Sequence, residues 1–177
     1  MDLGLAGKVA LVTGGSMGIG QATALALAQE GVQVAICARG AEALQQTAHE
    51  LQAKTGRKVL AVRADMTSLE DIQRLVATTV QELGGLDMLV NNAVNSIPGT
   101  FLELPDEAWV NHINVKILGY VRCAREAIPH MIHRGGGRII NIGGMAARQV
   151  GQLTNSNGVT NAAVANLTKN LADQVAP

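Results

Sequence analysis

The chain has 177 residues, 47% of them apolar and 16% charged, with a formal net charge of zero. That length suits one domain with a sizeable core, and the apolar content excludes a disordered segment. Zero net charge and only three aromatic residues, Phe101, Trp109 and Tyr120, argue against a nucleic-acid partner, which would need a cationic footprint and stacking platforms. No apolar stretch approaches the ~20 residues that cross a bilayer, and the N-terminus lacks a basic stretch followed by an apolar one. A cytoplasmic protein with no membrane partner is expected. Cys37 and Cys123 have no metal-ligand spacing, so they read as small buried thiols in a reducing compartment, with no metal site.

In chain order, "KVALVTGG" (Lys8 to Gly15) predicts a buried strand running into a glycine turn. "GIGQATALALAQE", from Gly18 to Glu30, is rich in helix formers and stops at Gly31. A second strand spans Val32 to Arg39, and a second helix Ala41 to Lys54, with Gly56 beyond it. Lys58 to Asp65 is a third strand; Ser68 then caps a helix, with Asp71 at the capping-box position and Gly84-Gly85 as its stop. "LDMLVNNA" is strand four. Helical sequence follows from Asp106 to about His133, with a break predicted near Gly119. "GRIINIGG" is strand five, and a last helix covers about Asn155 to Val175. Strands alternate with crossovers too long for hairpins, which specifies a parallel sheet covered by helices on both faces. The expected fold is a doubly wound, Rossmann-like, three-layer α/β/α domain over residues 1–177, with strand order 3-2-1-4-5.

The first strand–helix turn, "TGGSMGIG", carries the clearest chemical signal. Glycines at 14, 18 and 20 let the backbone turn tightly and approach a pyrophosphate, while the helix N-terminus offers free N–H groups and the positive end of its dipole. A glycine-rich string alone could serve only to turn the chain. Its place between a strand and a helix is the context that nucleotide binding requires.

Together, this turn, "NNA" after strand four, "GRIIN" at strand five and "AAVANLTKNLA" in the last helix resemble the short-chain dehydrogenase/reductase family over essentially the whole chain. The resemblance implies an NAD(P)(H) cofactor and hydride transfer to or from a carbonyl or alcohol. It implies cofactor contacts from Gly14, Ser16, Met17, Gly18, Ile19 and Gly20. Further contacts come from Asp65 and Met66 after strand three, and from Asn91, Asn92 and Ala93 after strand four. Val94 stands where the family pattern has glycine, adding bulk close to the ribose.

For the choice of dinucleotide, a carboxylate ending strand two would bind the ribose 2′-hydroxyl and repel a 2′-phosphate. Here Ala38 is followed by Arg39, whose guanidinium suits phosphate oxygens. NADP(H) is therefore preferred over NAD(H), although Met17 sits where relatives often carry a second basic residue and Arg39 could be a solvated surface arginine.

The resemblance also implies a catalytic serine, tyrosine and lysine, supported by an asparagine. Asn114 matches the asparagine. The serine position falls on Gly144, the tyrosine position on Asn157 and the lysine position on Asn161. An amide has no usable pKa near neutrality, and glycine has no hydroxyl. Thr154, Ser156 and Thr160 need a base, Arg148 could polarise a carbonyl, and His49, His112, His130 and His133 form no constellation. The sequence also ends after the last helix, before the family's later strands and substrate segment. Strand five is thus expected to be an uncovered edge, and a homo-oligomer is expected through it or through the helices near Val115 and Asn157. Three readings stand: an NADP(H)-binding member without the standard acid–base relay; an active carbonyl reductase or alcohol dehydrogenase with a nonstandard proton donor; and a non-catalytic nucleotide-sensing or oligomer-partner protein. A small-molecule substrate is possible, but its identity is not readable.

Overall fold

In a computed structural model of the chain, residues 2–149, 151 and 153–175 are described. Five parallel strands, β1 (Val9–Thr13), β2 (Gln33–Ala38), β3 (Val59–Arg63), β4 (Met88–Asn91) and β5 (Arg138–Asn141), form one sheet in the order β3-β2-β1-β4-β5. The crossovers are α1 (Gly18–Gln29), α2 (Ala41–Thr55) and α3 (Leu69–Leu83), and then α4 (Asp106–Ile113) and α5 (Gly119–His133) joined by a π-helical turn. After β5 a short 3-10 turn (Met145–Ala147) leads to α6 (Asn155–Val175). This is the expected doubly wound Rossmann-like architecture.

Burial on both faces explains the sequence pattern. Ala10, Val12, Val34 and Ile36 point into the layer formed with α1 and α2, where Ala24, Ala28, Leu44 and Leu51 meet them. Leu11, Ala35, Val62 and Leu89 point to the other face, against Ile72, Leu75 and Val76 of α3 and Cys123, Ala127 and Met131 of α5. Strands buried on both sides read as unbroken apolar runs, which is why β1 and β2 do not alternate. Each fully buried Leu or Ile contributes about 1.5–3 kcal/mol. α1 meets the sheet through alanines, so its backbone packs close and its N-terminus is held near the end of β1.

The rim opposite the glycine turn is fastened by charge. Asp87, just before β4, accepts hydrogen bonds from the Val9 N–H at 2.8 Å and from Arg134 Nη2 at 2.9 Å, with Lys8 Nζ at 3.6 Å. Burial alone would raise its pKa, but Arg134, the Val9 N–H and Lys8 together hold the carboxyl below its ordinary value.

Two local expectations need correction. The helix does not break at Gly119. Residues Asn114–Leu118 widen into a π-helical turn, and the Gly119 N–H bonds to the Asn114 carbonyl. Gly119 packs closely, since a Cβ there would lie 3.2 Å from both the Cβ and the carbonyl oxygen of Met66. The capping box of α3 is only half formed: the Asp71 N–H donates to Ser68 Oγ at 3.1 Å, but the Asp71 carboxylate turns away to accept from the Asp65 N–H at 2.8 Å. β5 is an edge strand as expected, and Ile140 is 48% exposed on it.

Candidate cofactor and active site

The glycine turn after β1 is held from three sides. The Gly15 N–H donates to the Cys37 carbonyl of β2 at 3.0 Å, and Thr47 Oγ1 of α2 donates to the Ser16 carbonyl at 2.9 Å. From β4, Asn92 Nδ2 donates to the carbonyls of Thr13 and Gly14 at 3.0 and 3.1 Å. Thr13 Oγ1 returns the link by accepting from the N–H groups of Asn92 and Ala93. Gly14 and Gly18 adopt φ of +65° and +56°, the left-handed region that glycine takes without strain. Gly20 is fixed by contact instead, because a Cβ there would strike the Gly14 carbonyl oxygen and lie 2.6 Å from Asn92 Nδ2.

These restraints border a cavity of about 530 Å³ at the ends of β1 to β4. Gly14, Ser16, Met17, Gly18, Ile19, Arg39, Asp65, Met66, Asn92 and Ala93 all line it, so ten of the residues expected from sequence meet there. Gly20 and Asn91 do not line it. Gly20 packs beneath the turn, and Asn91 is fully buried with its Nδ2 donating to Asn141 Oδ1 at 2.9 Å. Asp65 commits one carboxylate oxygen to the Thr67 N–H and hydroxyl, both at 2.8 Å. Val94 stands 53% exposed on the cavity wall. Cys37 forms part of the floor, where burial pushes its thiol up to about 12 and keeps it protonated.

The cavity's chemistry fits a dinucleotide. A Cβ at Gly18 would meet nothing within 4 Å, so the backbone there borders open space at the start of α1. Both amide atoms of Asn95, another lining residue, are buried without a partner and await a polar ligand group. Arg39 is exposed at the far end, and Arg63 reaches across to donate from Nε to the Arg39 carbonyl at 3.0 Å. Two guanidinium-bearing residues therefore stand together where the sequence suggested one. The pairing of Ala38 with Arg63 across β2 and β3 is the signal that could have revealed the second.

A second cavity, of about 490 Å³, lies between the segment after β5 and α6. Gly144 and Asn161 line it side by side: a Cβ at Gly144 would sit 3.1 Å from Asn161 Nδ2. Asn161 Nδ2 donates to the Asn157 carbonyl at 2.8 Å, while its Oδ1 is buried without a partner. Gly144 and Asn161, at the expected serine and lysine positions, are thus brought together, while Asn157, at the tyrosine position, lies one turn earlier on α6 and does not line this cavity; none of the three carries an acid or a base. Asn114 is half-buried, with its carbonyl engaged in the π-helical turn.

The other titratable candidates stand elsewhere. His112 is fully buried between α4 and α6, with Nδ1 3.0 Å from Ser156 Oγ and Nε2 3.5 Å from Thr160 Oγ1. Burial, and then the charge of Lys116, lower its pKa. His130 and His133 lie in the last turn of α5, beside Arg134 and the Asp87 cluster at the opposite rim. His49 is exposed on α2. Tyr120, the one tyrosine, is buried and donates to the Ile142 carbonyl at 3.3 Å, and burial raises its pKa. Lys116 is not among the residues expected from sequence. It is only 6% exposed on the π-helical turn, and burial lowers its pKa. A lysine inside the apolar run "NVKILGY" was the available signal.

The family model described as "short chain dehydrogenase" matches residues 8–177. Human dehydrogenase/reductase SDR family member 4 is 35% identical over 174 residues, 98% of this chain and 62% of that protein. An uncharacterised oxidoreductase of Staphylococcus aureus is 33% identical over 172 residues, 97% of this chain and 73% of its own. L-Sorbose reductase from Gluconobacter frateurii, solved with NADPH and L-sorbose, superposes with a TM-score of 0.95 at 38% identity, covering 99% of this chain and 66% of that one. An NAD+-bound xylitol dehydrogenase superposes at 0.93 with 29% identity, covering 98% and 66%. The chain spans about two thirds of the length of these two solved structures.

Proposed function

The chain belongs to the short-chain dehydrogenase family, and from that premise we propose that it binds NADP(H) in the cavity at the ends of β1 to β4 without the standard acid–base relay. The glycine turn from Gly14 to Gly20 and the start of α1 receive the diphosphate. Asp65 and Met66 border the adenine, and Asn92 and Ala93 border the ribose side. Arg39, with Arg63 beside it, favours a 2′-phosphate; no carboxylate stands at Ala38 to repel one. The solved relatives hold either form, NADPH in the sorbose reductase and NAD+ in the xylitol dehydrogenase, so the choice rests on Arg39 and Ala38.

The observation that supports the reading is that Gly144 and Asn161 line one cavity, with Asn157 one helical turn away and no acid or base among the three. Bound NADPH would supply a hydride for a carbonyl. What this cavity offers a substrate is the Asn161 amide and open volume, which orient a polar group but do not protonate it near neutrality. A carbonyl compound is the substrate class this implies. Two free buried thiols fit a reducing, cytoplasmic setting.

The test is a repair. Gly144→Ser, Asn157→Tyr and Asn161→Lys together should produce NADPH-dependent carbonyl reduction, while single changes do little because the groups act as a unit. A Cβ at position 144 lies 3.1 Å from the Asn161 amide, so the side chain at 161 must give by a few tenths of an ångström in any variant that carries the serine. A repaired protein that binds NADPH yet stays inert would contradict the reading.

A further inference from the structure

Among the described residues, neither amide atom of Asn95 has a hydrogen-bond partner, and both are shielded from solvent, although the residue lines the dinucleotide cavity. Nearly every buried amide in a folded chain finds a partner, because leaving one unpaired costs stability. The two asparagines before it show the contrast: Asn91 Nδ2 donates to Asn141, and Asn92 Nδ2 to Thr13 and Gly14. Asn95 gives up no hydrogen bond by turning about its side-chain bonds, so its amide can swing into the cavity at little cost.

The path of the chain decides which part of a dinucleotide this amide meets. Ala93 runs against the glycine turn, where a Cβ at Gly14 would lie 3.0 Å from the Ala93 Cα. Four residues beyond Asn95, Gly99 pairs with Thr154, and Asn155 Nδ2 donates to the Gly99 carbonyl at 3.0 Å. The segment therefore leaves the glycine turn and ends against the start of α6, close before Asn157. Arg39 and Asp65 line the same cavity from the ends of β2 and β3, on the other side of the glycine turn. A dinucleotide with its 2′-phosphate at Arg39 and its diphosphate at the glycine turn must send its second nucleoside along this segment to reach Gly144 and Asn161. Asn95 is two residues past Ala93, at most about 7 Å of chain. What it meets is thus the group joined directly to the diphosphate, which is a ribose; the nicotinamide ring lies one group further.

We propose that Asn95 holds the nicotinamide-side ribose, its amide oxygen accepting from one ring hydroxyl and its amide nitrogen donating to the other. This rests on the dinucleotide reading. A vicinal diol complements a side-chain amide, since each hydroxyl can both donate and accept. The diphosphate oxygens could use only the Nδ2 donor and would leave Oδ1 unpaired. The adenosine ribose, with a phosphate on its 2′ oxygen, has one hydroxyl to offer rather than two. The diol alone satisfies both halves of the amide within reach of this position.

The experiment is a calorimetric titration with three probes: NADP+, its 3-acetylpyridine analogue, which lacks the carboxamide nitrogen, and 2′,5′-ADP, which lacks the nicotinamide nucleoside. It uses the unmodified protein, Asn95→Leu and Asn95→Ala, with thermal melting alongside. Both variants should bind NADP+ and the analogue about tenfold more weakly, the net worth of one to two hydrogen bonds. Both should bind 2′,5′-ADP as the unmodified protein does. Asn95→Leu should melt no lower than the unmodified protein, since an unpaired buried amide has been replaced by an apolar chain of similar size. Unchanged NADP+ affinity in the two variants would overturn the proposal, and a lowered melting temperature beside it would assign the amide to the fold. An equal loss for 2′,5′-ADP would overturn it by placing the amide on the adenosine half. A loss that disappears with the analogue would overturn it by placing the amide on the carboxamide. Failure of the unmodified protein to bind either NADP+ or 2′,5′-ADP would instead overturn the dinucleotide reading on which it rests.

Discussion

Replacing Gly20 by alanine tests whether the glycine turn is built as the structure describes. The added Cβ would run into the Gly14 carbonyl oxygen, lie 2.6 Å from Asn92 Nδ2 and lie 2.9 Å from the Gly14 carbonyl carbon. Backbone cannot rotate aside as a side chain can, so the turn must shift. The shift would break the two hydrogen bonds that Asn92 makes to Thr13 and Gly14. Overpacking of this kind costs about 1–3 kcal/mol. The two lost hydrogen bonds add about 1 kcal/mol each, for a total of about 3–5 kcal/mol. Urea unfolding reads the loss as a lower midpoint, and NADPH titration should show binding weakened by at least tenfold. Gly18→Ala is the comparison: nothing lies within 4 Å of its Cβ, so only the strain of a φ of +56° remains, about 1–2 kcal/mol. If Gly20→Ala unfolds and binds like the unmodified protein, or is milder than Gly18→Ala, the described packing of the turn is wrong.

Further expectations follow from named contacts. Arg39→Ala should abolish most of a preference for NADPH over NADH of about 1.5–3 kcal/mol while leaving NADH affinity unchanged, measured by paired titrations. Asp87→Asn should lower stability by about 1–2 kcal/mol, because it weakens the charge-assisted hydrogen bond from the exposed Arg134 and the bond from the Val9 N–H. The Asp87 carboxyl is held below its unfolded value, so its contribution is present above the ordinary carboxylate range and is lost as pH falls through the folded value. His112 has a folded pKa below its unfolded 6.5, so it stabilises the neutral fold fully above that pH and loses this as pH falls below it. Denaturation midpoints between neutrality and mild acid should therefore fall less in His112→Gln than in the unmodified protein.

The sheet and its crossovers were legible because double-sided burial leaves a mark on every strand: unbroken runs such as "VALV" and "VAIC", each followed by a helix and a glycine stop. Ten cofactor-cavity residues were legible for a related reason, since a turn that must approach a ligand can use few residue types. The π-helical turn left no such mark. It ends at Gly119, which packs on Met66, 53 residues away in sequence, so the glycine read as a helix break. Asn91 and Asn92 looked alike in sequence, yet the strand pleat turns one into the sheet toward Asn141 and the other toward the glycine turn.

The most direct test of the central claim is to follow NADPH consumption by the unmodified protein, saturated with cofactor, across a panel of carbonyl compounds. The account predicts saturable NADPH binding with reduction slower by about 10²–10⁴ than the Ser, Tyr and Lys repaired protein, the contribution of a positioned proton donor. Turnover at ordinary enzyme rates that Asn157→Ala abolishes would contradict it, and would make the amides themselves the machinery.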